Sequence, residues 1–356
     1  MHNTNKNLSS ELLNWYKKEK RALEFRNTSD PYKIWISEIM LQQTKVNTMI
    51  PYYNKWINKF PNIKSVAESK LDDLIKCWEG MGYYSRCVNI YKTAKIIMQK
   101  HQGKIPNNYK NIISLPGVGV YTAGAVLSIA YNKPYPAIDG NVKRVFSRIL
   151  GIKNLTKRNF KRIENKILLL IDKLNPGDFN QAIMELGAIK CKVKNPHCNS
   201  CPLQNYCKAN KISNPNLYPI NKINKKRPHY NIAVGMIWCG NHFYIQKRPQ
   251  NKMLGGLWEF PGGKVKQNES IKKALKRKIK EECDILPIIN NKIAQIKHTY
   301  SHFSITLHCY KCGLKNKKLL KSKNSNWITS QDIFKFSFPK ANHKIFQVLN
   351  DNRWII

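Results

Sequence analysis

The sequence predicts two domains of different fold class, a mainly α-helical one at residues 1–212 and a smaller α/β one at residues 229–356. A chain of 356 residues is long enough for two hydrophobic cores. Apolar residues recur at helical spacing as far as about residue 210, and after residue 229 the pattern becomes typical of strands. Between them, residues 213–228 are rich in Pro, Asn and basic residues, a composition typical of a linker.

Individual elements follow from local signals. Ser65 and Glu68 form a possible capping box that predicts the start of a helix near residues 71–78. Gly240-Asn241 predicts a hairpin turn in the second domain. The other predicted helices cover residues 31–46, 84–100, 121–131, 142–149, 158–174, 269–282 and 342–349, and the predicted strands cover residues 232–238, 242–246, 292–299 and 303–312.

The chain is strongly basic, with 62 Lys and Arg residues against 21 Asp and Glu residues and a formal net charge of +41. Such a charge favours a polyanionic partner, because basic side chains displace counterions from phosphates. Lys, Asn and Ile are over-represented together, however, which is typical of AT-rich codon usage and accounts for part of the excess. Charge alone therefore favours nucleic acid only moderately.

The sequence lacks an apolar run of about 18 residues, and its N-terminal segment lacks the apolar core of a signal peptide. We therefore expect a cytoplasmic protein that has no membrane partner. In that compartment, the ten cysteines are better explained as metal ligands or buried thiols than as disulfides.

Four cysteines form the pattern Cys191-x6-Cys198-x2-Cys201-x5-Cys207. Thiolates so close together can bind zinc or an iron–sulfur cluster, and spacing alone does not separate the two. The 6-2-5 pattern resembles the [4Fe–4S] loop of the endonuclease III superfamily of DNA glycosylases. The resemblance implies that these four cysteines bind a [4Fe–4S] cluster with a structural and DNA-docking role.

The segment Leu115-Pro-Gly-Val-Gly119 lies immediately before the predicted helix at residues 121–131. Such a tight turn beside a helix N-terminus can offer N–H groups to a phosphate, although a plain connection between helices is the alternative. The segment resembles the helix–hairpin–helix element of the same superfamily. The resemblance implies that Gly117 and Gly119 contact the DNA backbone.

Asp139 stands at the start of a predicted helix, in Ala137-Ile-Asp-Gly-Asn-Val-Lys-Arg144. On these residues alone, an N-cap is the better interpretation. The segment also resembles the catalytic Asp segment of the superfamily, and the two roles are compatible. The resemblance implies that Asp139 stabilises positive charge on the sugar, with Tyr121 and Asn141 arranging the site.

Glu38 lies in the apolar segment Trp35-Ile-Ser-Glu-Ile-Met-Leu-Gln-Gln-Thr-Lys-Val46. A carboxyl in apolar surroundings has a raised pKa and can donate a proton, although a solvated helix face is the usual place for a Glu. This segment and Gly82-Tyr-Tyr-Ser-Arg86 resemble the MutY-type adenine glycosylases, which implies that Glu38 protonates adenine at N7. Tyr121 replaces the nucleophilic Lys of bifunctional relatives, so we expect no strong lyase activity.

The same resemblance assigns contacts to the duplex, which an enzyme acting on a base must open. Gln181 matches a residue at the flipped adenine, and Arg21 is expected in the same pocket. Residues 21–26 depart from the usual Leu-Pro-Trp, which alters one wall of that pocket. Ordinary packing is the alternative for each residue taken alone. The residues expected to contact or wedge into the duplex are Gln42, Gln43, Thr44 and Tyr83.

The second domain contains Gly263-x5-Glu269-x7-Arg277-Lys-Ile-Lys-Glu-Glu-Cys-Asp-Ile285, which nearly matches a Nudix box. That box places carboxylates on one helix to hold Mg²⁺ around a diphosphate. Lys278 replaces a Glu and Asp284 replaces a Gly, and the Lys removes a metal ligand while adding a repelling charge. We expect a Nudix-like fold without Nudix catalysis, with a Nudix hydrolase as the alternative.

A C-terminal Nudix-like domain that recognises 8-oxoguanine is also a feature of the MutY family. The recognition loop of that family matches Tyr300, Ser301 and His302, which implies that they stack on the damaged base or hydrogen-bond to it. A polar hairpin tip is the alternative.

Together, the residues and the resemblance predict a mainly α helix–hairpin–helix glycosylase fold with a [4Fe–4S] loop, followed by an α/β Nudix-like domain. The expected substrate is double-stranded DNA with adenine opposite 8-oxoguanine or guanine, and the expected enzyme is a nucleoid-associated monomer. A bifunctional glycosylase/lyase is an alternative that Tyr121 opposes. A catalytically inactive iron–sulfur DNA-binding module is another, opposed by the presence of both Glu38 and Asp139.

Overall fold

The structure is a computed structural model that describes residues 2–220, 227–314 and 324–351. The chain divides into two compact units, one of Met1–Ser69 and Asn89–Ile223 and the other of Lys70–Val88 and Asn224–Ile356. The predicted domain boundaries stay a prediction, and residues 221–226 of the predicted linker lie outside the described residues.

The N-terminal two thirds of the chain are helical, and within the described residues no helix combines the length and apolarity needed to cross a membrane. Helix α5 belongs to the second unit, α6 begins there and continues in the first, and the others belong to the first. The α-helices are α1 (His2–Glu19), α2 (Pro31–Leu41), α3 (Val46–Lys59), α4 (Ile63–Glu68), α5 (Leu71–Trp78), α6 (Ser85–Lys100), α7 (Tyr109–Ile113), α8 (Val120–Tyr131), α9 (Gly140–Leu150), α10 (Lys157–Leu170), α11 (Pro176–Ile189) and α12 (Lys208–Lys211). Short 3₁₀ helices cover Glu24–Arg26, Cys198–Ser200, Gln204–Tyr206 and Pro215–Leu217.

In the first unit, α2 packs against α8, and both α1 and α9 pack against α11. Two glycines allow close approach between these elements. A Cβ at Gly187 would lie 2.6 Å from Asn141 Cβ, and a Cβ at Gly124 would lie 2.2 Å from the Pro136 carbonyl oxygen. A buried apolar cluster joins α1, α9, α10 and α11. This packing brings together the helices that carry the predicted catalytic residues.

Two predicted helices end earlier than expected. The helix predicted at residues 31–46 ends at Leu41, because Gln43 takes the left-handed backbone conformation with φ +58°, and α3 then begins at Val46. The helix predicted at residues 158–174 ends at Leu170.

The capping box predicted at Ser65 and Glu68 is wrong. Ser65 instead forms a capping box with Asn62 at the start of α4, and Glu68 is the last residue of that helix. The N-cap of α5 is Lys70, whose side chain makes no capping hydrogen bond. Ser65 and Glu68 have the spacing of a capping box, but the helix that contains them begins before Ser65, at Ile63.

The second unit contains a mixed sheet between two helices, which confirms the predicted α/β class. Its strand order is β3-β2-β1-β6-β5, with β4 paired to β1 and β7 paired to β2. Strands β1 and β6 are parallel, and the other pairs are antiparallel. The strands are β1 (His229–Cys239), β2 (His242–Lys247), β3 (Trp258–Glu259), β4 (Gly262–Lys264), β5 (Pro287–Thr299), β6 (Ser304–Leu314) and β7 (Ser325–Ile328). A 3₁₀ helix covers Ser330–Lys335.

Alternation along β1 determines which helix covers which face of the sheet. Ala233 and Ile237 pack in the cluster that contains α13 (Ile271–Cys283). Val234 and Met236 pack in the cluster that contains α14 (Lys340–Asp351).

Helix α5 and the residues after it are held in the second unit by charged and polar contacts. Lys247 Nζ donates to Asp72 Oδ1 at 2.6 Å. The Phe338 N–H donates to Glu79 Oε1 at 2.7 Å. These contacts give residues 70–88 a defined place beside the sheet.

Candidate active site

Glu38 is an ionisable residue buried in α2, where it is only 7% exposed. The hydroxyl of Tyr121, in α8, donates a hydrogen bond to Glu38 Oε2. Burial raises the pKa of Glu38, and the Tyr121 hydrogen bond and the charge of Arg26 oppose that rise only in part. A carboxyl with a raised pKa keeps its proton to higher pH, as a general acid requires.

Tyr121 is the second residue of α8 and follows the Leu115–Gly119 hairpin. Burial, together with the negative charge and hydrogen bond of Glu38, raises the pKa of Tyr121 well above its usual range. The phenol therefore remains protonated and acts as a donor to Glu38.

Asp139 is the N-cap of α9, and its Oδ1 accepts from the Val142 N–H at 2.7 Å. Its other oxygen accepts from Asn141 Nδ2 at 2.9 Å. Burial raises the pKa of Asp139, and these hydrogen bonds and the charge of Arg144 oppose that rise only in part. The charge of Asp139 also raises the pKa of Glu38. The N-cap interpretation of Asp139 is thus correct. As the cap, Asp139 also holds its carboxyl where its charge affects Glu38.

Glu185 is not among the predicted site residues, yet it is the most buried carboxylate of this region, with a side chain that is 0% exposed. Arg21 Nη2 donates to its Oε2 at 2.8 Å, and Arg26 Nη1 donates to the same oxygen at 2.7 Å. Burial alone would raise the pKa of Glu185, but the hydrogen bonds and charges of the two arginines lower it to about 2. The sequence signal for this site is a single acidic residue within the apolar run at residues 182–189.

Arg26 links Glu185 electrostatically to Glu38, because its positive charge lowers the pKa of Glu38. Gln181 lies one helical turn before Glu185 on α11, on the same face, and is 8% exposed. The structure thus places Arg21 and Gln181 around Glu185, and their predicted contacts with adenine stay a prediction.

The turn after α2 carries the residues predicted to enter the duplex. Gln42 Nε2 donates to Thr122 Oγ1 at 3.2 Å, which ties the turn to α8. Gln43 is exposed and left-handed, and the Thr44 N–H donates to the Leu41 carbonyl at 3.2 Å. The turn is therefore closed by its own backbone and presents Gln43 outward.

The Leu115–Gly119 hairpin requires glycine at one of its two glycine positions. Gly117 has φ +77°, and a Cβ there would lie 2.8 Å from Asn89 Cβ. Gly119 is the N-cap of α8 with extended backbone, and a Cβ there would meet no atom within 4 Å. The carbonyl of Pro116, just before Gly117, accepts from Thr93 Oγ1 at 2.8 Å. Gly117 thus shapes the turn, whereas Gly119 leaves open space beside the helix N-terminus.

This contrast predicts different outcomes for two alanine substitutions. Gly117→Ala should destabilise the protein by about 1–2 kcal/mol, because a side chain at positive φ is strained. Gly119→Ala should leave stability within about 0.5 kcal/mol but weaken binding of duplex DNA, because its methyl group would project into the open space. Thermal unfolding and fluorescence anisotropy with a duplex measure the two effects, and equal melting temperatures for both variants would contradict the assignment.

The four clustered cysteines line one small cavity of the first unit together with Arg148. Arg148 is 3% exposed and donates to Cys191 Sγ at 3.2 Å. It also donates to the carbonyls of Lys192 at 2.6 Å and Val193 at 3.0 Å. A helix-borne guanidinium therefore fixes the first part of the cysteine loop.

The donor set of this cavity suits a thiophilic centre, since it offers four sulfurs and no carboxylate. Burial and, to a lesser extent, the three neighbouring thiols raise the pKa of Cys201 to about 12. In the part of the chain that the structure describes, no three His, Cys, Asp or Glu side chains are arranged closely enough to hold a single metal ion.

In the second unit, two of the predicted DNA-contacting segments meet. Tyr83, with φ +49°, donates from its hydroxyl to Ser301 Oγ at 2.6 Å. Tyr300 is half-buried, its ring centroid lies 5.1 Å from that of Phe303, and burial raises its pKa to about 12. Ser301 and His302 are exposed at the turn between β5 and β6.

The carboxylates of the Nudix-like segment each have partners within the protein. Arg277 Nη2 donates to Glu269 at 2.7 Å, and Lys278 Nζ donates to Glu281 at 2.7 Å. Glu282 accepts from Gln246 Nε2 at 2.7 Å. Asp284, which replaces the glycine of the box, has φ +53° at the C-cap of α13. Glu269 and Glu281 are thus paired with cations of α13, whereas Glu282 is held by neutral donors.

These observations agree with two family models. Residues 36–168 match the HhH-GPD superfamily of base excision DNA repair proteins, and residues 233–348 match the NUDIX domain. The fold and site therefore define a DNA glycosylase of base-excision repair with a C-terminal Nudix domain, which confirms the predicted fold class.

Sequence relatives narrow this class. The adenine DNA glycosylase of Buchnera aphidicola subsp. Schizaphis graminum is 39% identical over 349 residues, which cover 95% of this chain and 97% of the relative. The adenine DNA glycosylase of Mus musculus is 30% identical over 97% of this chain and 78% of the relative. The chain belongs to the adenine DNA glycosylase family, and the predicted enzyme class is confirmed.

Solved structures support the helical fold. A thermostable thymine-DNA glycosylase has a TM-score of 0.55 at 28% identity and covers 59% of this chain and 99% of its own. A non-covalent endonuclease III–DNA complex has a TM-score of 0.52 at 22% identity, with 60% of this chain and 98% of that chain covered, and shows the fold alone.

Proposed function

We propose that this enzyme hydrolyses the N-glycosidic bond of adenine paired with 8-oxoguanine or guanine in double-stranded DNA, without strong lyase activity. The buried carboxyl of Glu38, hydrogen-bonded to Tyr121 and coupled to Asp139, is the observation that carries this proposal. The names of the relatives support adenine as the base that is removed.

Glu38 is the proton donor in this reaction. Because burial raises its pKa, its carboxyl retains a proton that can pass to adenine N7, which makes the base a better leaving group. Tyr121 donates to Oε2 and thereby fixes the orientation of the carboxyl.

Asp139 stabilises the sugar as positive charge develops on it. The Val142 N–H and the Asn141 amide hold its two oxygens and oppose the rise in pKa that burial causes, which supports the anionic form that this role requires. Water then attacks the sugar, and one of the two carboxylates accepts its proton. Adenine is released, and the abasic sugar remains in the DNA strand without a covalent bond to the enzyme.

Tyr121 is also the reason to expect hydrolysis without strand cleavage. A lyase of this kind needs an amine that forms a Schiff base with the sugar, and the residue after the hairpin is a phenol with a raised pKa. The phenol at position 121 therefore disfavours the alternative of a bifunctional glycosylase/lyase.

The DNA contacts divide between the two units. In the first unit, Gly117 and Gly119 bind backbone phosphate at the N-terminus of α8, and the turn at Gln42, Gln43 and Thr44 enters the duplex. Arg21 and Gln181 border the pocket for the flipped adenine. In the second unit, the hydrogen bond from Tyr83 to Ser301 supports a joint surface with Tyr300 and His302 for the opposite, oxidised base.

The cysteine cavity supports a [4Fe–4S] cluster held by Cys191, Cys198, Cys201 and Cys207. Four thiols without a carboxylate suit such a cluster, which would give the loop structural order and a DNA-docking role. Arg148 prepares the site by donating to Cys191 Sγ and to two loop carbonyls.

The proposal is tested with end-labelled duplexes that contain adenine opposite 8-oxoguanine, guanine or thymine. We expect breaks in the adenine strand only after alkali, and only for the first two duplexes, because base removal leaves an alkali-labile abasic site. Breaks that form without alkali would show lyase activity, and intact strands after alkali would show an inactive module. Either result would overturn the proposal.

A further inference from the structure

Residues 70–88 lie within the region that matches the HhH-GPD superfamily, yet their contacts assign them to the second unit. Helix α5 forms the first half of this segment, and Tyr83 follows it in the turn before α6. The hydroxyl of Tyr83 donates to Ser301, in the turn between β5 and β6. The way this segment is held in the second unit therefore determines where Tyr83 lies relative to that turn.

Glu79, the C-cap of α5, anchors the segment to the residues at the start of α14. Its Oε1 accepts from the Phe338 N–H at 2.7 Å and lies 2.8 Å from His343 Nε2. Its Oε2 accepts from Lys76 Nζ at 2.6 Å, and the same ammonium group donates to the Phe336 carbonyl at 2.8 Å. The end of α5 thus binds the backbone at two positions just before α14, through a Glu79 side chain that is only 14% exposed.

The partners of Glu79 keep it charged. Burial raises the pKa of Glu79, but the hydrogen bonds of His343, Lys76 and the Phe338 N–H outweigh burial and lower that pKa below its usual value. The carboxylate also lies beside the N-terminus of α14, where the helix dipole favours a negative charge. Because an ionised acceptor makes stronger hydrogen bonds than a neutral one, Glu79 is a firm anchor.

The turn between Glu79 and Tyr83 is held by its own side chains. Trp78 Nε1 donates to the Gly82 carbonyl at 3.0 Å, and Arg86 Nη2 donates to the same carbonyl at 3.2 Å. The guanidinium carbon of Arg86 also lies 5.3 Å from the centroid of the Tyr83 ring. Gly82 has φ +82° and Tyr83 has φ +49°, conformations that persist only where surrounding contacts enforce them. A turn fixed in this way passes a displacement of Glu79 on to Tyr83.

The anchor and the β5–β6 turn share one apolar base. Phe338, the backbone partner of Glu79, is 0% exposed and belongs to the cluster on the α14 face of the sheet. Tyr300 and Phe303, at the β5–β6 turn, pack against the same cluster. The hydrogen bond between Glu79 and Phe338 therefore sets the spacing between the two turns.

From these contacts we infer that Glu79 is a positioning residue that holds Tyr83 against Ser301 and thereby sets the preference for 8-oxoguanine over guanine opposite adenine. This role rests on the proposed function and adds a determinant of specificity to it. Glu79 acts through Tyr83 and not on the bond that is broken. Its loss should therefore slow the reaction with the 8-oxoguanine duplex much more than the reaction with the guanine duplex.

The experiment measures single-turnover adenine release by the full-length protein from duplexes with adenine opposite 8-oxoguanine or guanine. Glu79→Ala should lower the ratio of the two rates at least about five-fold, the scale of a lost buried hydrogen-bond acceptor. Glu79→Gln should give a smaller loss, because its amide oxygen still accepts from the Phe338 N–H but carries no charge. Asp73→Ala, which removes the same charge from an exposed position of α5, should leave the ratio unchanged.

A second background shows whether Glu79 acts through Tyr83. Tyr83→Phe lacks the hydroxyl that donates to Ser301. In that background, adding Glu79→Ala should lower the ratio by less than about two-fold, because substitutions that act through one contact are not additive. An equal loss in both backgrounds would overturn the inference.

Other outcomes also decide the question. An unchanged ratio in Glu79→Ala would remove Glu79 from recognition, and an equal fall of both rates would mark a purely structural role, with thermal unfolding to report the loss of fold. Equal rates on the two duplexes for the unchanged protein would contradict the inference as well. Absence of adenine release by the unchanged protein would overturn the proposed function itself, and the inference with it, so the two failures are distinguishable.

Discussion

Replacing Glu38 with Gln should lower the single-turnover rate of adenine release by at least about a thousand-fold, within the range typical of a lost general acid. The amide keeps the shape of the side chain and still accepts from the Tyr121 hydroxyl, but it has no proton to donate to adenine N7. Affinity for the duplex should change little, because the substitution leaves the hairpin and the duplex-contacting turn intact.

A matched control is Glu68→Gln, at a carboxylate of α4 whose side chain is 64% exposed and pairs only weakly with Lys64. That variant should keep the full rate. Single-turnover kinetics and gel-shift binding on the adenine·8-oxoguanine duplex measure the two quantities. A Glu38→Gln enzyme that retains the full rate would remove Glu38 from the mechanism.

The pH dependence of the rate should report the same carboxyl. Glu38 must be protonated to act, so the rate should fall as pH rises through its raised pKa. The Tyr121 hydrogen bond lowers that pKa, and Tyr121→Phe should therefore move the alkaline limb to higher pH. A limb that stays in place would show that Tyr121 does not tune the acid.

Replacing Glu185 with Gln should destabilise the first unit by about 3 kcal/mol, because Arg21 and Arg26 would lose the buried counter-charge that they share. At that size of unit, the expected fall in melting temperature is roughly 6–12 °C. Glu164→Gln is the control, because its partner Lys161 lies at the surface with a side chain that is 66% exposed. The control should lose no more than about 1 kcal/mol.

The stabilisation by Glu185 also has a defined pH range. Folding lowers its pKa from 4.5 to about 2, so its contribution is complete above the unfolded value and is lost as pH falls from 4.5 through about 2. Over that range, the stability of the unchanged protein should fall more steeply than that of Glu185→Gln. Parallel curves in denaturant titrations would show that Glu185 is not a paired carboxylate.

The sequence was informative at several places where local chemistry determines structure. Asp139 before a helical pattern predicts a cap, and the cap is present with the Val142 N–H. Alternation after residue 229 predicts strands, and the two faces of β1 pack in different clusters. Such features depend on neighbours in the chain, so a single sequence is sufficient to find them.

Features that depend on distant residues were harder to find. Glu185 and Arg21 are separated by 164 positions, and only the packing of α1 and α11 brings the residues around them together. The early end of α2 depends on the left-handed Gln43, a conformation that propensity does not favour. The hydrogen bond between Tyr83 and Ser301 likewise joins residues 218 positions apart.

The ion pairs along α13 limit which substitutions this helix can accept. Lys278 gives Glu281 a counter-charge that is covalently part of the chain, and Arg277 shares that carboxylate at 3.1 Å. Changing Lys278 to an acidic residue would remove one cation and place a new negative charge next to Glu281. A metal ion would have to be captured in the same step to offset that repulsion. An acidic residue at position 278 would therefore carry an electrostatic cost that a bound cation would have to offset, whereas the lysine stabilises this part of α13 without a metal ion.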